Sequence, residues 1–237
     1  MIEKIITGIV LGKREYEDEH IVTILSEGGN ILSLKAKGLH NNVSKNRISL
    51  QPFNRVEVEY FAAPMDSNRG RIKRASVNNE YTNEGELAYS AIQVMHNILY
   101  PISSHNNAIY NSVINILDSI NNGTYNFQKM LSLFILVLRN EGYTPKVNAC
   151  VKCGSNQKIK GFSLYEGGLI CQNHEEGNKY KLVYSLLEKI IEINLQINPM
   201  KTRDLNLTPE ETQILKSMYK VFFENQLGLN LYLIKNI

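Results

Sequence analysis

Four residues past the middle of the chain constrain its fold more than any others. Cys150-Val151-Lys152-Cys153-Gly154 and Cys171-Gln172-Asn173-His174 form two pairs of N/S donors, each with two residues between its members. That spacing can set four ligands at the corners of a tetrahedron, the geometry zinc adopts in closed structural sites. Gly154 stands where a knuckle turn needs positive φ. Between the pairs, Phe162-Ser163-Leu164 and Leu169-Ile170 flank Gly167-Gly168, which predicts a small hairpin joining the knuckles. All three cysteines of the chain belong to this motif. The bland alternative is a set of reduced, buried thiols that bind nothing. A complete four-ligand set leaves no open position for water or substrate, so the spacing points to structural Zn2+ and away from a catalytic ion.

With 237 residues there is room for one large or two ordinary domains. Cysteines in zinc spacing indicate a reducing compartment. The opening Met1-Ile2-Glu3-Lys4-Ile5-Ile6 has no extended apolar stretch of the kind that marks a signal peptide. The longest apolar run, Leu133 to Leu138, is far short of the roughly 20 residues that span a bilayer. The expectation is a cytoplasmic protein with no membrane contact.

The net charge of +3 is uninformative, but its distribution is not. Between Gly28 and Val56 there is no acidic residue, whereas Lys35, Lys37, Lys45, Arg47 and Arg55 all occur there. Arg69, Arg71, Lys73 and Arg74 follow as a second cluster, while the acidic run Glu15 to Glu19 stands on its own. Segregated sign makes a polarised surface, and a positive stripe is the footprint of phosphate binding.

The first eighty residues read as five short strands. Ile5 to Leu11 is apolar on both registers, as in a strand covered on both faces or closing a small barrel. His20 to Ser26 is a second strand. Ile31 to Lys37 sorts its faces, with Leu32, Leu34 and Ala36 one way and Ser33, Lys35 and Lys37 the other. A polar connector containing Ser44-Lys45-Asn46-Arg47 leads to the fourth strand, Arg55 to Phe61, with Val56, Val58 and Tyr60 inward. The fifth, Gly70 to Val77, is basic. Five strands with a longer connector between the third and fourth match an OB-fold barrel, which binds oligonucleotides on strands two and three and the flanking loops. Lys35, Lys37, Lys45, Arg47, Arg71, Lys73 and Arg74 are the candidate DNA contacts. Charge alone leaves open that they are only a solvated face. No aromatic residue is interleaved among them, so phosphate contacts are expected to outweigh base stacking.

The remainder is helical, giving an α+β chain: an OB-fold at 1–79, then an α-helical domain at 80–237 with the zinc module at about 146–178. Apolar residues at helical spacing mark Glu84 to Leu99 and Asn106 to Ile120. Phe127 to Glu141 is apolar almost all round and reads as a central buried helix. Ser185 with Glu188, and Thr208-Pro209 with Glu211, read as capping boxes opening two further helices. No phosphate loop, nucleophile elbow or paired carboxylate motif occurs, and His20, His40, His96 and His105 each lack a sequence-adjacent partner. No enzyme is expected. The residues alone leave three classes: a DNA-binding protein, a zinc-stapled adaptor that binds only proteins, and a zinc hydrolase with a replaceable ligand.

Several stretches together resemble the RecO family of bacterial recombination mediators. They are Gly8 to Gly12 with Arg14 to Glu27, Ala36-Lys37-Gly38, Ser44 to Arg47, Leu50 to Phe53, Leu138 to Pro145, and the Cys150 to His174 motif. They run in order to about residue 176 and grow faint beyond it. The resemblance implies an OB-fold followed by a helical domain with zinc. It implies binding of single- and double-stranded DNA, annealing of complementary strands, and loading of recombinase onto strands coated by single-stranded-DNA-binding protein. The implied partners are RecR and the acidic, aromatic C-terminal tail of that coating protein (SSB). Such a tail needs an apolar pocket with a cationic rim, and Lys129 and Arg139 on the apolar helix are the candidate rim residues.

Overall fold

The structure, a computed structural model, describes residues 2–17, 19–40, 44–63, 69–81, 84–102, 104–175, 184–195 and 205–237. Two compact units form, Met1–Tyr125 and Asn126–Ile237.

The first unit is built on five strands: β1 (Glu3–Tyr16), β2 (Glu19–Ser26), β3 (Ile31–Ala36), β4 (Arg55–Phe61) and β5 (Arg71–Asn79). They close in the order β1-β2-β3-β5-β4, with β4 pairing back onto β1. β1 is twice the expected length because its two ends serve different neighbours. Glu3–Ile9 pairs with β4 and Gly8–Tyr16 with β2, with an irregularity between Val10 and Gly12 where the strand bends. The single parallel contact, Lys35 with Arg71, completes the circuit.

The interior holds Val10, Val22, Ile24, Leu34, Ala36, Val56, Val58, Tyr60, Ile72 and Ala75, the registers read from alternation. β5 departs from strict alternation. Ile72 and Ala75 both face inward although three residues apart, because a bulge opposite Glu59 and Tyr60 inserts one residue. Lys73 and Arg74 are therefore both exposed. The polar connector contains a short helix, α1 (Lys45–Ser49), which lies on β5; Ala75 N donates to Asn46 Oδ1 at 2.9 Å.

β1 and β2 are buried on their outer face too. Ile9, Ile21 and Leu25 are at most 1% exposed, and such a face requires a cover. α2 (Glu86–Leu99) packs on β1, close enough that a Cβ at Gly12 would stand 2.8 Å from the Tyr100 ring. α3 (Asn107–Asn121) is capped by Asn106, whose side chain accepts from Ile109 N. Both helices thus belong to the barrel's compact unit, whereas the sequence reading set the boundary after residue 79.

In the second unit α4 (Phe127–Asn140) is buried from Met130 through Leu138, the central helix its composition predicts. Phe134 sits at its middle, with ring centroids of Phe223, Tyr219 and Phe127 at 5.2, 5.6 and 6.2 Å. α6 (Pro209–Leu227) opens with the expected capping box: Glu211 N donates to Thr208 Oγ1 and Thr208 N donates to Glu211 Oε2. α5 spans Tyr184–Leu195, so Ser185 falls inside the helix and not at its cap; its side chain lies outside the described residues. The predicted hairpin is present as β6 (Ile159–Ser163) and β7 (Gly168–Cys171).

Candidate functional site

The hairpin and the loop before it bring the four candidate ligands together. Gly154, at φ 72°, turns the chain so that its N–H donates to Cys150 O at 2.8 Å, forming the first knuckle. β7 ends at Cys171, and one turn of 3-10 helix over Gln172–His174 returns the imidazole to it. The ligand atoms of Cys150, Cys153, Cys171 and His174 all lie within 4.8 Å of one another. Cys153 Sγ is 3.8 Å from Cys171 Sγ; His174 Nδ1 is 3.4 Å from Cys171 Sγ and 3.8 Å from Cys150 Sγ. Around a tetrahedral zinc, bonds of about 2.3 Å to sulfur and 2.0 Å to nitrogen set S···S near 3.8 Å and S···N near 3.5 Å. These three separations match that geometry, and the Cys3His donor set fits the ion. Burial opposes ionisation of Cys150, but the backbone N–H groups of Cys171, Cys153 and Lys152 and the His174 ring outweigh it and take the thiol down to about 6. Ile170 with half-buried Val151 and Ile159 is the small apolar core beneath the cysteines.

The basic residues of the barrel also converge. Lys35 on β3 is register partner to Arg71 on β5, and Lys37, Lys73 and Arg74 continue the same outward surface. Lys45 of α1 and Arg74 line one cleft with Asn46, Ile48, Ser49, Ala75 and Ser76. Arg47 is half-buried in α1, and its charge helps to hold Lys13 below the usual lysine value, secondary to burial. Phe61, register partner of Arg71, turns outward, and the Lys73 ammonium lies 6.0 Å from its ring centroid. An aromatic surface thus does stand among the cations, contrary to the reading from sequence spacing; the pairing of β4 with β5 brings it there.

A second correction concerns the acidic run. Glu19 does not stand apart from the basic clusters. Its carboxylate meets Lys37 at 3.4 Å, Arg71 at 3.5 Å and Lys35 at 3.6 Å, with the Glu19 side chain 19% exposed. Burial works to raise this carboxyl, but the hydrogen bond from Lys37 and the charges of Lys37, Lys35 and Arg71 hold it below its ordinary value. Lys73 is paired with Glu3 and Glu59. Among the described residues no ion pair engages Lys45, Arg47 or Arg74. The hairpin joining β1 to β2 folds Glu19 beside β3, a proximity that sequence order conceals.

In the second unit an apolar pocket is lined by Pro145, Phe162, Leu164, Ile190, Asn194, Met218, Tyr219 and Phe222. Arg139 lies at its edge: Nη2 donates to Asn194 O at 2.8 Å, burial lowers its pKa, and Tyr219 opposes that shift. Lys129 stands ten residues earlier on α4, about 15 Å along the axis, so the two cations do not rim one pocket.

Glu15, His20 and His40, read from sequence as unrelated, form a second cluster whose ligand atoms lie within 4.8 Å of one another. Among the described residues, no helix is long and apolar enough to cross a membrane.

A closed five-stranded barrel with a basic outer face, followed by a helical unit carrying a Cys3His cluster, defines a class of mixed α+β proteins with two separable surfaces. The family model for the recombination protein O N-terminal region matches residues 1–81, and that for its C-terminal region matches 94–232. The chain belongs to the recombination protein O (RecO) family. The C-terminal match runs well past residue 176, where the resemblance read from motifs fades. A protein named DNA repair protein RecO from Exiguobacterium sibiricum is 25% identical, covering 98% of this chain and 94% of its own. One of the same name from Mesoplasma florum is 27% identical over 77% of this chain and 73% of its own.

Proposed function

We propose that this protein is a DNA repair and recombination mediator whose OB-fold barrel holds DNA by its phosphates. The observation that carries this is the convergence of Lys35, Lys37, Arg71, Lys73 and Arg74 on adjoining strands, with Lys45 across the cleft. Such a face meets single and double strands through charge, with little sequence preference. Phe61 adds one ring on which a base can stack. Membership of the RecO family and the relatives named DNA repair proteins support the reading. Annealing of complementary strands, and loading of recombinase with RecR onto SSB-coated strands in the cytoplasm, follow from family kinship. Arg139, a cation beside the apolar residues of the helical unit, is the candidate contact for the acidic, aromatic tail of SSB.

Zinc at Cys150, Cys153, Cys171 and His174 is structural in this reading. With four protein donors it supplies cross-linking to a module with little core of its own, and a closed donor set supports a reading without enzymatic activity. One observation favours a protein-only adaptor instead: four of the seven candidate DNA contacts are already engaged by carboxylates. Fluorescence polarisation of the intact chain with single strands and duplex across a salt series separates the two. Phosphate binding gives a log K that falls linearly with log salt on both. Absence of binding at low salt leaves the adaptor.

A further inference from the structure

We infer that Glu15, His20 and His40 form a second metal site at the end of the barrel, for a borderline divalent ion of the Zn2+ type, separate from the cysteine cluster. Glu15, next to last in β1, is the direct cross-strand partner of His20, second in β2; His40 follows β3. One hairpin and the segment after β3 thus bring three ligand atoms within 4.8 Å of one another.

The state of His20 is the second, independent observation. The residue is 7% exposed, and its Nδ1 is buried with no hydrogen-bond partner. Its Nε2 lies 3.9 Å from Glu15 Oε1, too far for a hydrogen bond. A buried imidazole nitrogen without a hydrogen-bond partner is costly unless something else satisfies it. The His20 and His40 rings meet at 4.5 Å between centroids, tilted by 53°, so they converge without stacking.

Two imidazoles and one carboxylate are a donor set for zinc and its neighbours, with bonds of about 2.0–2.2 Å. Tetrahedral ligand atoms then stand about 3.4 Å apart, which the exposed Glu15 and His40 side chains can reach by small rotations. Three protein ligands leave a fourth position for water or an anionic oxygen. Lys13, itself beside Arg47, adds a nearby positive charge, so the ion is held less tightly than at the cysteine cluster.

The test is equilibrium dialysis of the intact, zinc-loaded protein against micromolar free Zn2+, with metal content and affinity measured. The parent should hold two ions per chain, one of them removed by a mild chelator. His40→Ala and Glu15→Gln, both at exposed positions, should keep the tight ion and bind the second roughly 100-fold more weakly, since even outer partners of a ligand are worth about 10–100-fold. Cys153→Ser should lose the tight ion and keep the weak one. Co2+ filling the weak site should show visible d–d bands without the thiolate charge-transfer absorption of a cysteine site. A parent that saturates at one ion overturns the inference. So does a second ion whose affinity is unchanged in His40→Ala and Glu15→Gln.

Discussion

Glu19 provides the sharpest test of the basic face. Its carboxylate lies 3.4–3.6 Å from Lys37, Arg71 and Lys35, so on the proposed function it competes with DNA phosphate for these cations. Glu19→Gln keeps the shape and removes one negative charge from the centre of three positive ones. In counterion terms this restores one phosphate contact, steepening the slope of log K against log salt by about 0.7 on single strands and 0.9 on duplex. At 0.1 M salt those slopes correspond to a gain of roughly fivefold and eightfold in affinity, vanishing as salt approaches 1 M. The cost in stability is small. The three cations are 36–62% exposed, and exposed pairs are each worth about 0–1 kcal/mol. pH provides an internal control. Because the carboxyl is depressed in the folded protein, its stabilising contribution is present above the unfolded value of about 4.3 and is lost as pH falls through the folded one. Parent and variant should therefore converge in DNA affinity as Glu19 protonates. The assay is a fluorescence polarisation titration with both DNA forms at several salt concentrations. A variant with unchanged affinity and slope refutes the assignment of these three cations to phosphate contact.

The other expectations are more direct. Lys35→Ala with Lys37→Ala should flatten the salt slope by about 1.4 on single strands and 1.8 on duplex, with zinc content unchanged. Cys153→Ser should release the structural zinc and open the segment 146–175 to protease, a local loss of several kcal/mol because the binding energy of such an ion is folding energy; stoichiometric zinc and an unaltered digestion pattern would exclude the four-ligand site. Arg139→Ala should weaken calorimetric binding of an SSB tail peptide, whereas Lys129→Ala, three turns away, should not. Thr208→Ala removes one half of the α6 capping box and should lower unfolding free energy by about 1 kcal/mol in a denaturant titration.

Sequence by itself determined what depends on neighbours along the chain. Val56, Val58 and Tyr60 alternate inward on β4, the composition of α4 announces its burial, and Thr208 with Glu211 caps α6, because period, propensity and capping act over a few residues. The zinc donors were legible for the same reason: two short spacings and a Gly-Gly turn suffice to close the hairpin. Tertiary structure alone decided what lies side by side when the strands pair. The bulge in β5 that exposes both Lys73 and Arg74 answers to the barrel's curvature, and periodicity carries no trace of it. Closure of β5 against β3 and β4 sets Phe61 and Lys35 beside Arg71. The β1–β2 hairpin swings Glu19 into the cationic face and joins Glu15 to His20 and His40. Charge acts through space and not along the chain, so a carboxylate 52 residues from Arg71 in sequence stands 3.5 Å from it in the fold.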